Sequence, residues 1–169
     1  MVCCDAVHWL AGTWVGHGYR VTCTVGLDIC NGRAWTTELP EECHFNYHGG
    51  PGSSILATAR DGRLSLIRSM PDHRIYVWVL IGDERWNLQR TISVPNEMIH
   101  SPHSLEFTCL RAFCPRSGIV VGALSLHELR IDIDGRSDSL VKRTGERCGY
   151  RYSPYEMDRS TYLSKLKYF

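Results

Sequence analysis

Cysteine and histidine are the usual ligands of structural zinc, and both occur several times in this sequence. Cys43, His44 and His48 lie close together in the chain, and Cys109 and Cys114 form a second group. A structural zinc site needs four ligands at short, regular spacings such as C-x2–4-C with H-x3–5-H. The two groups are far apart in the chain and do not combine into such a motif, so we expect no metal and no other cofactor.

Serine, histidine and aspartate are all present, but no motif places them for catalysis. The sequence contains no G-x-S-x-G nucleophile elbow, no H-E-x-x-H helix and no Walker loop. Gly49–Ser54 is rich in glycine, but it connects two predicted strands, whereas a phosphate-binding loop opens a helix. We therefore predict that the chain is not an enzyme.

The histidines in predicted loops favour binding rather than catalysis. They fall in polar connections between predicted strands, and loops on a rigid scaffold often carry binding residues. Exposed loops also tolerate histidine that has no function, and that interpretation stays open. The candidate protein-binding residues of this predicted loop face are His17, His44, Tyr47, His48, His73, His100 and His103.

A hairpin over Arg74–Pro95 is the clearest predicted element. Its first strand is apolar on both faces, with Ile75 and Val77 on one side and Trp78 on the other, so we expect both faces to be covered. Its second strand alternates apolar and polar residues, which is typical of a half-exposed strand near an edge. Pro95 ends that strand because proline has no N–H for the ladder.

Shorter strands with turn signals between them fill the rest of the chain. Asn31-Gly32 and Asp61-Gly62 predict hairpin turns, and Ala11–Gly18 is interpreted as a loop. The tryptophans in predicted strands are expected in the core. They are Trp9, Trp35, Trp78 and Trp86.

The turns repeat along the chain. One set falls at Ala6, Gly62 and Gly118, and the other set falls at Asn31, Asp83 and Asp134. A period of about 50 residues with four short strands per unit is the signature of propeller blades. The prediction is a single all-β domain over 1–169, a partial β-propeller of about three four-stranded antiparallel blades with a short helical tail. The blades cover about 1–40, 53–95 and 104–145, and the tail covers 146–169.

Composition restricts the class of function. The net charge of the 169-residue chain is +1, which predicts no binding to nucleic acid or to a membrane surface. No stretch approaches the ~20 apolar residues of a membrane helix, and the N-terminus has no secretory signal. The eight cysteines are therefore expected to be reduced thiols in the cytoplasm or nucleus.

Several segments together resemble the plant F-box-associated domain, a β-propeller that follows an F-box. The similar segments include Ala6–Leu10, Thr37–Pro40, Asp61–Leu66 and Ile75–Leu80, and the tail from Tyr152 resembles the C-terminal end of grass members. The resemblance covers nearly the whole chain in the expected order. It implies recognition of a protein substrate for a cullin-RING ubiquitin ligase.

Residues 1–169 contain no F-box, and three blades are fewer than the roughly 4–8 that close a propeller. We therefore expect an incomplete propeller, either a fragment or a truncated family member, that exposes blade edges and can self-associate. Adaptor binding would need the missing F-box. The alternative is a lipocalin-like or nitrobindin-like barrel for a small hydrophobic ligand or haem, because Gly12-Thr13-Trp14 resembles the G-x-W opening of those barrels.

Overall fold

The computed structural model describes most of the first 133 residues. The described ranges are 1–3, 5–15, 18–43, 54–59, 61–70, 72–82, 84–94, 109–115, 117–124 and 127–133. Within these ranges the elements are strands, apart from one 3-10 turn at Glu41–Cys43. The predicted strand at 139–143 and the predicted helical tail at 146–169 lie outside the described residues.

The strands form three antiparallel sheets that follow one another along the chain, and each sheet runs in simple sequence order. Sheet 1 contains β1 (Val2–Cys3), β2 (Ala6–Val15), β3 (Gly18–Asp28) and β4 (Ala34–Glu38). Sheet 2 contains β5 (Ser54–Thr58), β6 (Leu64–Ser69), β7 (Arg74–Ile81) and β8 (Arg85–Ser93). Sheet 3 contains β9 (Cys109–Cys114), β10 (Ile119–Leu124) and β11 (His127–Asp132). The prediction of an all-β chain of successive antiparallel sheets is confirmed, and the described strands form no closed barrel.

The first turn of each sheet lies where the sequence repeat predicts it. These turns join β1 to β2, β5 to β6 and β9 to β10, and their φ angles are positive: 59° at Asp5, 82° at Gly62 and 69° at Gly118. Glycine reaches that region without steric cost because it has no Cβ. In sheets 1 and 2 we name the end that carries these turns the turn end. The opposite end, where β2 joins β3 and β6 joins β7, is the loop end.

Sheet 2 lies between the other two sheets and is buried on both faces. One face contributes Ile75 and Val77 of β7 to a core cluster shared with sheet 3. The other face contributes Trp78 and Leu80 to a second cluster shared with sheet 1. The two-sided burial predicted for β7 is confirmed, and face-to-face contact of successive sheets is the arrangement of propeller blades.

Sheet 1 differs from sheet 2 because only one of its faces is covered by described residues. The face with His8, Thr24 and Gly26 is buried against sheet 2. The opposite face carries Trp9, which pairs with Val25 across the ladder and is 43% exposed. The expectation that Trp9 is a core residue is therefore wrong. Alternation along β2 places Trp9 on the face turned away from sheet 2.

The predicted loop over Ala11–Gly18 is wrong, since β2 continues to Val15 and β3 begins at Gly18. The ladder between the two strands contains a β-bulge at Ala11 and Gly12. There the carbonyl oxygen of Arg20 occupies the space that a Cβ on Gly12 would take. The glycine marks a close backbone approach inside a sheet rather than a loop.

Candidate functional site

A cleft of about 500 Å³ opens between sheets 1 and 2 at the turn end. It is lined by β2, by β4, and by the turns that follow β3, β5 and β7. The lining combines an indole, a buried imidazole and charges of both signs. The residues are Cys3, Ala6, His8, Asp28, Asn31, Arg33, Trp35, Thr36, Arg63, Leu64, Leu80, Gly82 and Glu84.

The sheet 1 wall of the cleft is one cross-strand row of three residues. Gly26 pairs with His8 on one side and with Trp35 on the other. The imidazole of His8 meets the indole of Trp35 edge to face, with ring centroids 5.7 Å apart and planes at 80°. The indole lies over Gly26, where it fills the space that a Cβ would need. Glycine at this position therefore allows Trp35 to lie flat on the sheet.

His8 is buried beneath the mouth of the cleft. Burial lowers the pKa of His8 from its ordinary 6.5, and a hydrogen bond to the backbone of Cys3 partly opposes this effect. The imidazole is therefore neutral at neutral pH. The ring is thus held between the backbone of Cys3 and the indole of Trp35.

The two sheets are joined at the base of the cleft by Cys3. Its Sγ donates a hydrogen bond to the carbonyl oxygen of Gly62, in the β5–β6 turn, at 2.8 Å. Cys3 is itself buried in the core cluster between sheets 1 and 2. The bond fixes the first turn of sheet 2 against the first strand of sheet 1.

The β3–β4 turn forms one rim of the cleft and is held by Asp28. One carboxylate oxygen of Asp28 accepts from the backbone N–H groups of Cys30 and Asn31, at 2.7 and 3.2 Å. The other accepts from the Asn31 side-chain amide at 2.8 Å. Asn31 Oδ1 in turn accepts from the backbone N–H of Arg33. The carboxylate is used within the turn, and the Arg33 side chain remains exposed at the rim.

Asp61 and Arg63 form the opposite rim, in the β5–β6 turn. Arg63 Nε donates to Asp61 Oδ2 at 2.6 Å, and the Arg63 backbone N–H donates to Asp61 Oδ1 at 3.0 Å. These bonds from Arg63 hold the pKa of Asp61 below its usual value, and the carboxylate raises the pKa of Arg63. Both side chains are about half exposed, so the pair can rearrange around a ligand.

The charged groups of this cleft are either engaged in its turns or exposed at its rim. Asp28 and Asp61 are both engaged in turn hydrogen bonds, so neither is placed as a free general base. Arg33 and Glu84 are exposed charges at the rim. In the described ranges no three His, Cys, Asp or Glu side chains come together as a metal site would require.

The sequence as a whole matches one family model, described as a domain of unknown function (DUF7595), over residues 1–169. The chain belongs to this family. No curated protein and no solved structure matches the chain. The DUF7595 description does not connect its members to F-box-associated domains, so that relationship stays a prediction.

The structure places one of the seven predicted loop-face residues. His73 lies in the β6–β7 turn with φ 56° and is half-buried, and its carbonyl oxygen accepts from the N–H of Val94 at 3.0 Å. It lies at the loop end, opposite the cleft. The other six are outside the described residues: His17, His44, Tyr47, His48, His100 and His103.

Sequence reasoning missed the cleft because its residues come from turns and strands that are distant in the chain. Asp28, Asn31 and Arg33 were interpreted only as part of a hairpin, and Trp35 only as core. The available signal was the Asp-x-x-Asn-Gly turn followed by tryptophan opposite a strand glycine.

Among the described residues there is also no helix of the length and apolarity that a membrane crossing needs.

Proposed function

We propose that this domain recognises a protein partner through the turn-end cleft. The observation that carries the proposal is an open cleft with Trp35 in its wall and Arg33, Arg63 and Glu84 around it. Tryptophan and arginine are the residues most often found at the energetic centres of protein interfaces. A partner segment with both acidic and basic side chains fits a rim that carries both signs of charge.

The resemblance to F-box-associated domains supports a more specific role. It rests on the ordered segments from Ala6–Leu10 to Ile75–Leu80, which form the strands that meet at this cleft. In that role the domain presents a bound protein to a cullin-RING ubiquitin ligase. The predicted loop face that includes His73 is a second contact surface in the same proposal. No observation favours the alternative of a small hydrophobic ligand or haem, because the described strands lack a closed barrel.

Site-specific photocrosslinking tests the proposal in the cell type that expresses the protein. A photoreactive amino acid replaces Arg33 or Glu84 at the rim, or Gln89 on β8 as an exposed control outside the cleft. We expect the same discrete protein to be crosslinked from both rim positions and not from position 89. The protein, identified by mass spectrometry, is then purified and its affinity for the unlabelled domain is measured.

The ligase role makes a separate prediction about that partner. Its ubiquitylation and turnover should fall when the full-length protein is depleted. A partner that binds the cleft but keeps the same half-life would support recognition and contradict the ligase role. Equal crosslinking from positions 33, 84 and 89 would contradict the cleft as the binding site.

A further inference from the structure

Arg68 has an environment that is unusual for a charged side chain. It lies on β6 near the loop end, on the face of sheet 2 that is turned towards sheet 1, paired with Tyr76 in the ladder. Its Nη1 donates to the hydroxyl of Ser54 at 3.1 Å, and Ser54 is 8% exposed. Its Nε–H is buried and has no hydrogen-bond partner among the described residues. Buried cations in proteins are normally paired with an anion.

No described group supplies that negative charge. Among the described residues Arg68 forms no ion pair with a carboxylate. The nearest ionisable thiol is Cys43, which is fully buried. Burial raises the pKa of Cys43 to about 12, so this thiol is neutral at physiological pH. The thiol therefore leaves the charge of Arg68 uncompensated.

A second arginine, Arg20, lies near Arg68. Burial, and then the neighbouring positive charge of Arg20, lower the pKa of Arg68, although the nearby Cys43 has the opposite effect. Even so, an arginine remains protonated in a protein. The structure thus holds a charged, partly accessible guanidinium with a buried unused donor, next to a hydroxyl and another arginine.

We infer that Arg68 and Ser54 form a binding site for an oxyanion, a carboxylate or phosphoryl group, at the loop end between sheets 1 and 2. The guanidinium offers a planar set of donors that matches two oxygens of such a group. An oxyanion there gives the Nε–H its missing acceptor and neutralises the buried charge. This site lies at the opposite end of the strands from the proposed protein-binding cleft and does not depend on it.

The first test is a titration of the isotopically labelled domain with inorganic phosphate and, separately, with acetate, followed by NMR of arginine Nε–H groups. We expect a saturable shift of the Arg68 resonance with one or both anions. In Arg68→Gln the affinity falls by about tenfold or more, because a hydrogen bond to a charged group is lost. Arg85→Gln removes an exposed arginine of the same sheet and should bind as the wild type does.

Arg68→Lys separates geometry from charge, because lysine keeps the positive charge and lacks the Nε–H fork. We expect it to bind the anion as weakly as Arg68→Gln. If the wild type, Arg68→Lys and Arg68→Gln all respond equally, or if none responds, the inference is wrong and any effect is a general ionic one.

Stability in anion-free buffer distinguishes a binding residue from a structural one. Arg68→Met removes a half-buried charge that has no counterion among the described residues, so we expect the midpoint of urea denaturation to stay the same or to rise. A marked fall would show that Arg68 holds the fold through Ser54 and would overturn the inference.

A final binding experiment distinguishes two sources of the oxyanion, a free small anion and an acidic group on a polypeptide. A hexaglutamate peptide that binds at least about tenfold more tightly than acetate, and depends on Arg68, assigns the oxyanion to a polypeptide. Affinity equal to that of acetate assigns it to a free small anion.

Discussion

Gly26 is the residue on which the sheet 1 wall of the cleft depends. It lies between His8 and Trp35 in the ladder and leaves room for the indole on the surface of the sheet. A Cβ at this position would clash with the indole ring of Trp35. Gly26 does not have a positive φ angle, so its backbone conformation does not require glycine. The packing of Trp35 against residue 26 does require it.

Gly26→Ala should destabilise the domain by about 1–3 kcal/mol, because an added methyl group in a filled space displaces its neighbours. The measurement is the free energy of unfolding in urea. In a double-mutant cycle with Trp35→Leu, most of that loss should disappear, because the smaller side chain no longer covers residue 26. An equal loss with and without Trp35 would contradict the contact.

His8 should make the stability of the domain depend on pH. Its pKa is lowered in the folded state, so the unfolded chain takes up the proton more readily. The contribution of neutral His8 is fully present above the unfolded pKa near 6.5 and is lost as the pH falls through it. The free energy of unfolding should therefore fall between pH 7 and about pH 5.

The variant His8→Phe should weaken this pH dependence, because phenylalanine keeps a ring beside Trp35 and does not titrate. An unchanged slope in the His8 variant would assign the pH dependence to other groups.

At the scale of elements, sheet 2 contributes to both core clusters, one shared with sheet 1 and the other shared with sheet 3. Leu66 and Leu88 are both ladder neighbours of Trp78, one on each side. Leu66 is 0% exposed and Leu88 is 47% exposed. The difference arises because β6 is an inner strand, whereas β8 is an edge strand with a β-bulge at this point of its ladder.

Leu66→Ala should cost about 2–5 kcal/mol of unfolding free energy, since it removes a buried side chain and leaves a cavity. Leu88→Ala is the same substitution on the other side of Trp78 and should change stability by less than about 0.5 kcal/mol. Chemical denaturation of both variants measures the difference. Similar losses at the two positions would contradict the assignment of β8 as the exposed edge.

The sequence predicted the elements whose signals are local. Two-sided apolar β7 and the hairpin turns at Gly62 and Gly118 follow from residue type and spacing, and the structure confirms them. The extension of β2 past Gly12 was missed because Gly12 indicated a loop, whereas in the structure this glycine makes room for the carbonyl oxygen of Arg20 on the paired strand. The cleft and the environment of Arg68 were missed for a similar reason, since contacts between two sheets produce both.

At the scale of the whole molecule, the face of sheet 1 that is turned away from sheet 2 is apolar, and no described residues cover it. Val7 pairs with Leu27, and Trp9 with Val25, on this face. Adjacent Ile29 is 59% exposed. Apolar patches of this kind on a protein surface commonly mark contacts with other proteins or with further copies of the same chain.

We expect the domain to self-associate through this face and to bind a hydrophobic dye. Trp9→Glu should reduce dye fluorescence and shift sedimentation towards the monomer, because it places a charge at the centre of the patch. Leu88→Glu introduces the same charge at a similarly exposed position on sheet 2 and should have little effect. A wild-type domain that stays monomeric as the protein concentration is raised, and that binds no dye, would contradict this expectation.

The central claim is that a protein partner binds the cleft between sheets 1 and 2. The most direct test is the dissociation constant of the crosslinked and purified partner for Trp35→Ala, with Trp14→Ala as the matched control. Trp14 is 75% exposed in the same sheet and lies at the loop end. We predict that Trp35→Ala weakens binding at least about tenfold and that Trp14→Ala changes it by less than about twofold. Unchanged affinity in Trp35→Ala, or an equal loss in both variants, would contradict the claim.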